Sequence, residues 1–147
     1  MKEKFMKQAL MEAKKAYEKL EIPVGAVIVK DDKIIARAHN LKETKKSAIA
    51  HAEILAIQKA NKKLDNWRLL DCDMYVTLEP CPMCMGAIIS SRIKNLYIGT
   101  LDPKKQEPIN IEEYREKYGL NIEVGIMQEE SEYILKDFFK YLRKNGG

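Results

Sequence analysis

What most constrains the fold of this chain is the way its hydrophobic period keeps changing. Stretches with an apolar residue every three or four positions exchange repeatedly with short β-branched runs. A helix and a strand bury their faces at different periods, so each change marks a new element. Phe5, Ala9, Leu10, Ala13, Ala16 and Leu20 stand among Lys and Glu and predict an amphipathic helix over residues 2–20. Residues 24–29 and 34–36 are apolar on either side of Asp31-Asp32, the pattern of a β-hairpin. A polar, Lys-rich stretch at 40–48 leads into a second helical face over 49–64, built on Ile54, Leu55, Ile57, Ala60 and Leu64. A strand at 74–78 stops at Pro80, a mostly apolar helix follows at 81–91, and residues 96–99 form a fourth strand. Asn110 with Glu113 resembles a capping box for a helix at 111–118, with Gly119 as its stop. A strand at 122–127 and a helix carrying Ile134, Leu135, Phe138 and Leu142 complete the chain. The order α-β-β-α-β-α-β-α-β-α with short connections predicts an α/β protein, one five-stranded sheet covered by helices on both faces.

A chain of 147 residues, 46% hydrophobic and 33% charged, is long enough for one core and too short for two, so residues 1–147 are expected to form a single domain. The net charge of +4 permits a polyanionic partner but forms no tail-like block. No apolar run approaches the ~20 residues of a membrane span. The charged start MKEKFMKQALMEAKK lacks the apolar stretch of a secretory signal, and a cytoplasmic location is expected. Three cysteines are an odd number for a disulfide framework and direct attention to metal binding or catalysis.

His51-Ala52-Glu53 opens the second helix, and Pro80-Cys81-Pro82-Met83-Cys84 opens the third. One His and a Cys-x-x-Cys pair supply three ligands, the number a catalytic zinc takes while keeping a fourth position open. Helix starts also carry unpaired N–H groups and the positive end of the dipole, which favour the Cys81 and Cys84 thiolates. On an ideal helix Glu53 points about 200° away from His51, so it need not be a ligand. In zinc deaminases the H-x-E and P-C-x-x-C motifs occur together, with the Glu carrying protons between water, ring and leaving ammonia. Alone, a Cys-x-x-Cys is at least as often a redox pair or a zinc knuckle. Cys72 reads as a buried thiol, and His39 as a surface or rim residue.

With these residues in view, the chain resembles the bacterial tRNA-specific adenosine deaminases, within the cytidine deaminase-like superfamily. The segments that carry the resemblance are Glu21 to Val27, Ala38-His39-Asn40, Ala50 to Glu53, Asn66-Trp67-Arg68-Leu69, Tyr75 to Cys84, Gly86-Ala87-Ile88 and Ser91-Arg92-Ile93, with Asp137-Phe138-Phe139 extending it. The resemblance implies a three-layer α/β/α cytidine deaminase-like fold with a mixed five-stranded sheet. It implies one Zn2+ per chain on His51, Cys81 and Cys84, with Glu53 as proton shuttle. Asn40 matches a residue that hydrogen-bonds the target nucleotide, and Glu21, Pro23 and Val24 match positions around the base pocket. Asp102 and Lys104 match a loop that touches the anticodon backbone. The implied substrate is adenosine at wobble position 34 of a tRNA anticodon, tRNA-Arg, converted to inosine by a homodimer. Lys42, Lys45 and Lys46, and Lys140, Arg143 and Lys144, suit phosphate contacts and equally suit a solvated surface.

After Asp102 the chain departs from the family pattern: Pro103 to Asn110 is short, and no Gly stands between Gly99 and Gly119. Two other readings therefore stay open. One is a deaminase of a free base or nucleoside with the same zinc site. The other is a non-catalytic, zinc-stabilised RNA-binding module.

Overall fold

A computed structural model describes residues 1–105 and 108–145. Gln106 and Glu107 of the departing stretch, and the terminal Gly146-Gly147, lie outside the described residues. The elements in chain order are α1 (Lys2–Glu18), β1 (Gly25–Lys30), β2 (Lys33–His39), α2 (Ala52–Leu64), β3 (Cys72–Leu78), α3 (Pro82–Ser90), β4 (Asn95–Thr100), α4 (Ile111–Tyr118), β5 (Asn121–Val124) and α5 (Gln128–Asn145). The expected element order is observed throughout.

The strands form one sheet in the order β2-β1-β3-β4-β5. β1 pairs antiparallel with β2 and with β3, whereas β3, β4 and β5 run parallel, so the sheet is mixed. The hairpin turns at Asp31 and Asp32, both at positive φ of 51° and 59°, the conformation a two-residue connection needs to follow the strand twist. Alternate residues of the central strands face opposite layers. Ala26, Ile28, Met74 and Val76 join the core beneath α2 and α3, while Val27, Val29 and Tyr75 pack with Phe5, Met6 and Ala9 of α1. α1 and α5 therefore cover one face and α2, α3 and α4 the other, the three-layer arrangement expected. Gly25 lies so close to α1 that a Cβ there would overlap the Ala9 carbonyl and the Ala13 amide. That contact seats α1 on the strand that leads out of the site.

Most boundaries shift by one to three residues from the sequence expectation, and three of the shifts bear on the site or its supports. α2 begins at Ala52, because His51 is its N-cap in an extended conformation (φ −83°, ψ 152°). β5 ends at Val124 because Gly125 and Met127 take positive φ of 104° and 55°. β3 starts at Cys72, which is fully buried within the strand instead of flanking it. The cap expected at α4 is present, the Glu113 amide donating to Asn110 Oδ1 at 3.1 Å, and Gly119 ends the helix at φ 64°.

Candidate active site

Two helices open side by side behind the sheet, α2 at His51 and α3 at Cys81, and both N-caps are extended. Pro82 holds the first helical position of α3, where its missing N–H costs nothing. The caps turn His51 and Cys81 towards one another. His51 Nδ1 lies 3.7 Å from Cys81 Sγ and 3.6 Å from Cys84 Sγ. All three donor atoms fall within 4.8 Å of one another. A tetrahedral Zn2+ with bonds of about 2.0–2.1 Å to nitrogen and 2.3 Å to sulfur requires an N···S edge of about 3.6 Å, so both N···S edges already match that ion.

Glu53 is buried against Cys84, whose side chain it contacts. The 200° separation from His51 expected on an ideal helix does not arise, since His51 lies outside the helical backbone and both side chains reach the same spot. Burial raises the Glu53 carboxyl to about 7, its own backbone amide and Cys84 only partly opposing the rise. Burial also pushes the Cys84 thiol up, and it pushes the His51 imidazolium down with help from Lys42. A divalent cation among these donors reverses the penalty on the thiolate, which is why the donor set fits a metal.

Asn40 ties three segments together. Its Oδ1 accepts from the Ala52 amide at 2.8 Å, its Nδ2 donates to the Ile22 carbonyl at 3.1 Å, and its own amide donates to the Val24 carbonyl at 3.1 Å. It thereby satisfies an orphan N–H of α2 and fixes residues 22–24 against the start of that helix. One Nδ2 proton is left over in this set of bonds. Pro23 and Val24 are buried beneath it.

Glu21 does not offer a free group to the site. Its buried carboxylate accepts from the Glu43 amide at 3.0 Å and from the Thr44 amide and hydroxyl, each at 2.6 Å. Burial favours its neutral form, but these donors outweigh it and hold the carboxyl below the usual range. Glu21 thus anchors the Lys-rich 40–48 stretch. His39 is half-buried and bonded, not a rim residue: Nδ1 lies 2.9 Å from buried Glu12 and Nε2 lies 2.9 Å from Lys19 Nζ. An ammonium can only donate, so Nε2 accepts from Lys19 while Nδ1 faces the Glu12 carboxylate.

Asp102 closes its own turn, its Oδ1 accepting from the Lys104 amide at 2.9 Å. The exposed Lys104 places Nζ 3.9 Å from the centre of the Phe139 ring on α5. These residues line a cavity of about 220 Å3 with Ile22, Leu78, Lys136 and Arg143. The sequence reading missed Glu79, the buried residue that holds this loop through the Asp102 and Ile109 amides. A charged residue directly after the apolar end of a strand and directly ahead of Pro80 was the available signal.

An open three-donor metal triangle with a buried carboxylate at its side, on this sheet, defines the deaminase class of hydrolases. A family model described as MafB19-like deaminase matches residues 1–143. The chain is 48% identical over 146 residues to a tRNA-specific adenosine deaminase of Bacillus subtilis (strain 168), covering 97% of this chain and 91% of the relative. A structure solved in a study of A-to-I editing by tRNA:A34 deaminases at the wobble position matches with a TM-score of 0.80 and 40% identity, covering 90% of this chain and 99% of that one. A guanine deaminase from Nitrosomonas europaea matches with a TM-score of 0.83 and 25% identity, covering 92% of this chain and 83% of that one. The chain belongs to the MafB19-like deaminase family, on its tRNA-specific adenosine deaminase branch.

Proposed function

We propose that this chain hydrolyses adenosine to inosine, releasing ammonia, at wobble position 34 of a tRNA anticodon. The observation that carries the chemistry is the His51, Cys81 and Cys84 triangle with the Glu53 carboxylate buried beside it. Zn2+ held by His51, Cys81 and Cys84 would act as a Lewis acid that lowers the pKa of a water towards neutrality. Glu53 takes one proton from the attacking water and passes it to the ring nitrogen, then takes the proton of the added hydroxyl and passes it to the amine, which leaves as ammonia while the carbonyl forms. A carboxyl raised to about 7 suits this work, because it both accepts and returns a proton near neutral pH. Asn40 has one amide proton free to orient the nucleotide, while its other contacts hold the pocket wall at residues 22–24. Identity of 45–48% over nearly the full length of tRNA-specific relatives supports a tRNA substrate over a free base.

The substrate arm is tRNA-Arg, held by Lys42, Lys45 and Lys46 on one loop and by Lys104, Lys140, Arg143 and Lys144 around α5. Cationic side chains at these positions suit anticodon phosphates. The working form is a cytoplasmic homodimer. Ile49, Trp67, Leu70 and Met83 lie in or beside α2 and α3 and are each more than a third exposed, apolar side chains that a second copy would cover. No helix among the described residues is long and apolar enough to cross a membrane.

The test is inosine formation by the zinc-loaded protein on an anticodon stem-loop with adenosine at position 34, run beside adenosine, adenine, guanine, cytosine and cytidine. Turnover of the stem-loop alone is expected. Turnover of a free base alone assigns the protein to nucleobase metabolism, and no turnover of any substrate by a protein with one zinc per chain leaves a binding module.

A further inference from the structure

We propose that Glu79 is a positioning residue for substrate recognition, its buried carboxylate holding the loop after β4 at a set distance from the metal ligands. The proposal rests on the tRNA reading above. Glu79 lies just beyond the end of β3, and its side chain is 1% exposed. A carboxylate so buried is costly unless its oxygens are bonded, and both are bonded to one loop. Oε1 accepts from the Asp102 amide at 2.6 Å and Oε2 from the Ile109 amide at 3.1 Å, with Lys105 Nζ 3.7 Å from Oε2. The Asp102 amide lies just before the stretch that departs from the family pattern and the Ile109 amide near its far end, so one carboxylate holds the chain at both places. The Glu79 amide donates in turn to the Thr100 carbonyl at 3.0 Å, which fixes the residue against the end of β4.

The other side of Glu79 leads to the metal. Pro80 follows it, with φ restricted by its ring, and Cys81 follows Pro80. One residue is therefore bonded to the loop carrying Asp102 and Lys104 and is two positions from a metal ligand. Glu21 holds the 40–48 loop in the same manner, with backbone donors on both oxygens. Two buried carboxylates thus each hold one loop beside the site. A group needed only to fill the core would be apolar, and one needed only for the metal would not bond residues 102 and 109.

Glu79→Gln tests this, because the amide must turn its NH2 against one backbone N–H and keeps a single acceptor for the other. The measurements are KM and kcat on the stem-loop, zinc per chain, and stem-loop Kd in the Glu53→Ala background, where turnover does not intervene. Amide hydrogen exchange at Asp102 and Ile109 is the readout independent of activity. The expected result is one zinc per chain, kcat within about twofold of the parent, KM and Kd raised about tenfold, and faster exchange at both amides. Unchanged KM and Kd overturn the proposal, even if thermal stability falls. So does loss of zinc, or a fall in kcat at constant KM, since either places the effect at the metal. If the wild-type protein turns over only a free base, the tRNA reading fails alone, and the KM comparison on that base decides the role of Glu79.

Discussion

Glu53→Gln separates what the buried carboxylate contributes to turnover from what it costs in stability. With the metal stripped, burial raises this carboxyl from 4.5 to about 7. A folded pKa above the unfolded one means that the folded chain holds the proton more tightly. Burial therefore costs nothing below about pH 4, where both states are protonated, and the cost grows as pH rises towards 7. At about 1.4 kcal/mol per pH unit the gap corresponds to about 3 kcal/mol above pH 7. Glutamine has the same shape and no charge. Chelator-treated Glu53→Gln is thus expected to match wild type near pH 4 and to exceed it by about 3 kcal/mol at pH 8 in urea unfolding. With zinc restored, its turnover of the stem-loop falls by about 10²–10⁴ or more, the share of a general acid-base group. A stability difference that does not vary with pH refutes the desolvation reasoning, and retained turnover refutes the proton-transfer role.

Cys84→Ala removes one of three donors and is expected to leave the protein without zinc after dialysis and without activity, as read by metal analysis and the inosine assay. Asn40→Ala loses the bonds to the Ala52 amide and the Ile22 carbonyl, and urea unfolding should show a cost of about 2 kcal/mol at roughly 1 kcal/mol per bond. Glu21 has its folded pKa lowered by the Thr44 and Glu43 donors, which outweigh burial, so its stabilisation is present above the unfolded value and lost as pH falls through the folded one. Glu21→Gln should flatten that acid limb of the stability profile, and an unchanged limb excludes the carboxylate as its source.

The order of elements was legible along the chain because alternating periods are local, and the cap at Asn110 with its stop at Gly119 followed from side chains and backbone within one helix. The His51, Cys81 and Cys84 group that could hold a metal was legible too, since His-x-Glu and Cys-x-x-Cys place their groups at helix starts where backbone geometry is narrowly set. Three things depended on the assembled chain. Whether Glu53 lies beside His51 hinged on the extended backbone at the cap, which helical periodicity cannot report. His39 looked like a surface residue until α1 brought Glu12 and Lys19 to its two nitrogens. Glu21 and Glu79 each bond partners more than twenty positions away, and nothing near them in sequence announces those partners. Local chemistry decided which residues could bind a metal and move a proton. Long-range packing decided which charges are buried, what neutralises them, and how the loops around the site are held.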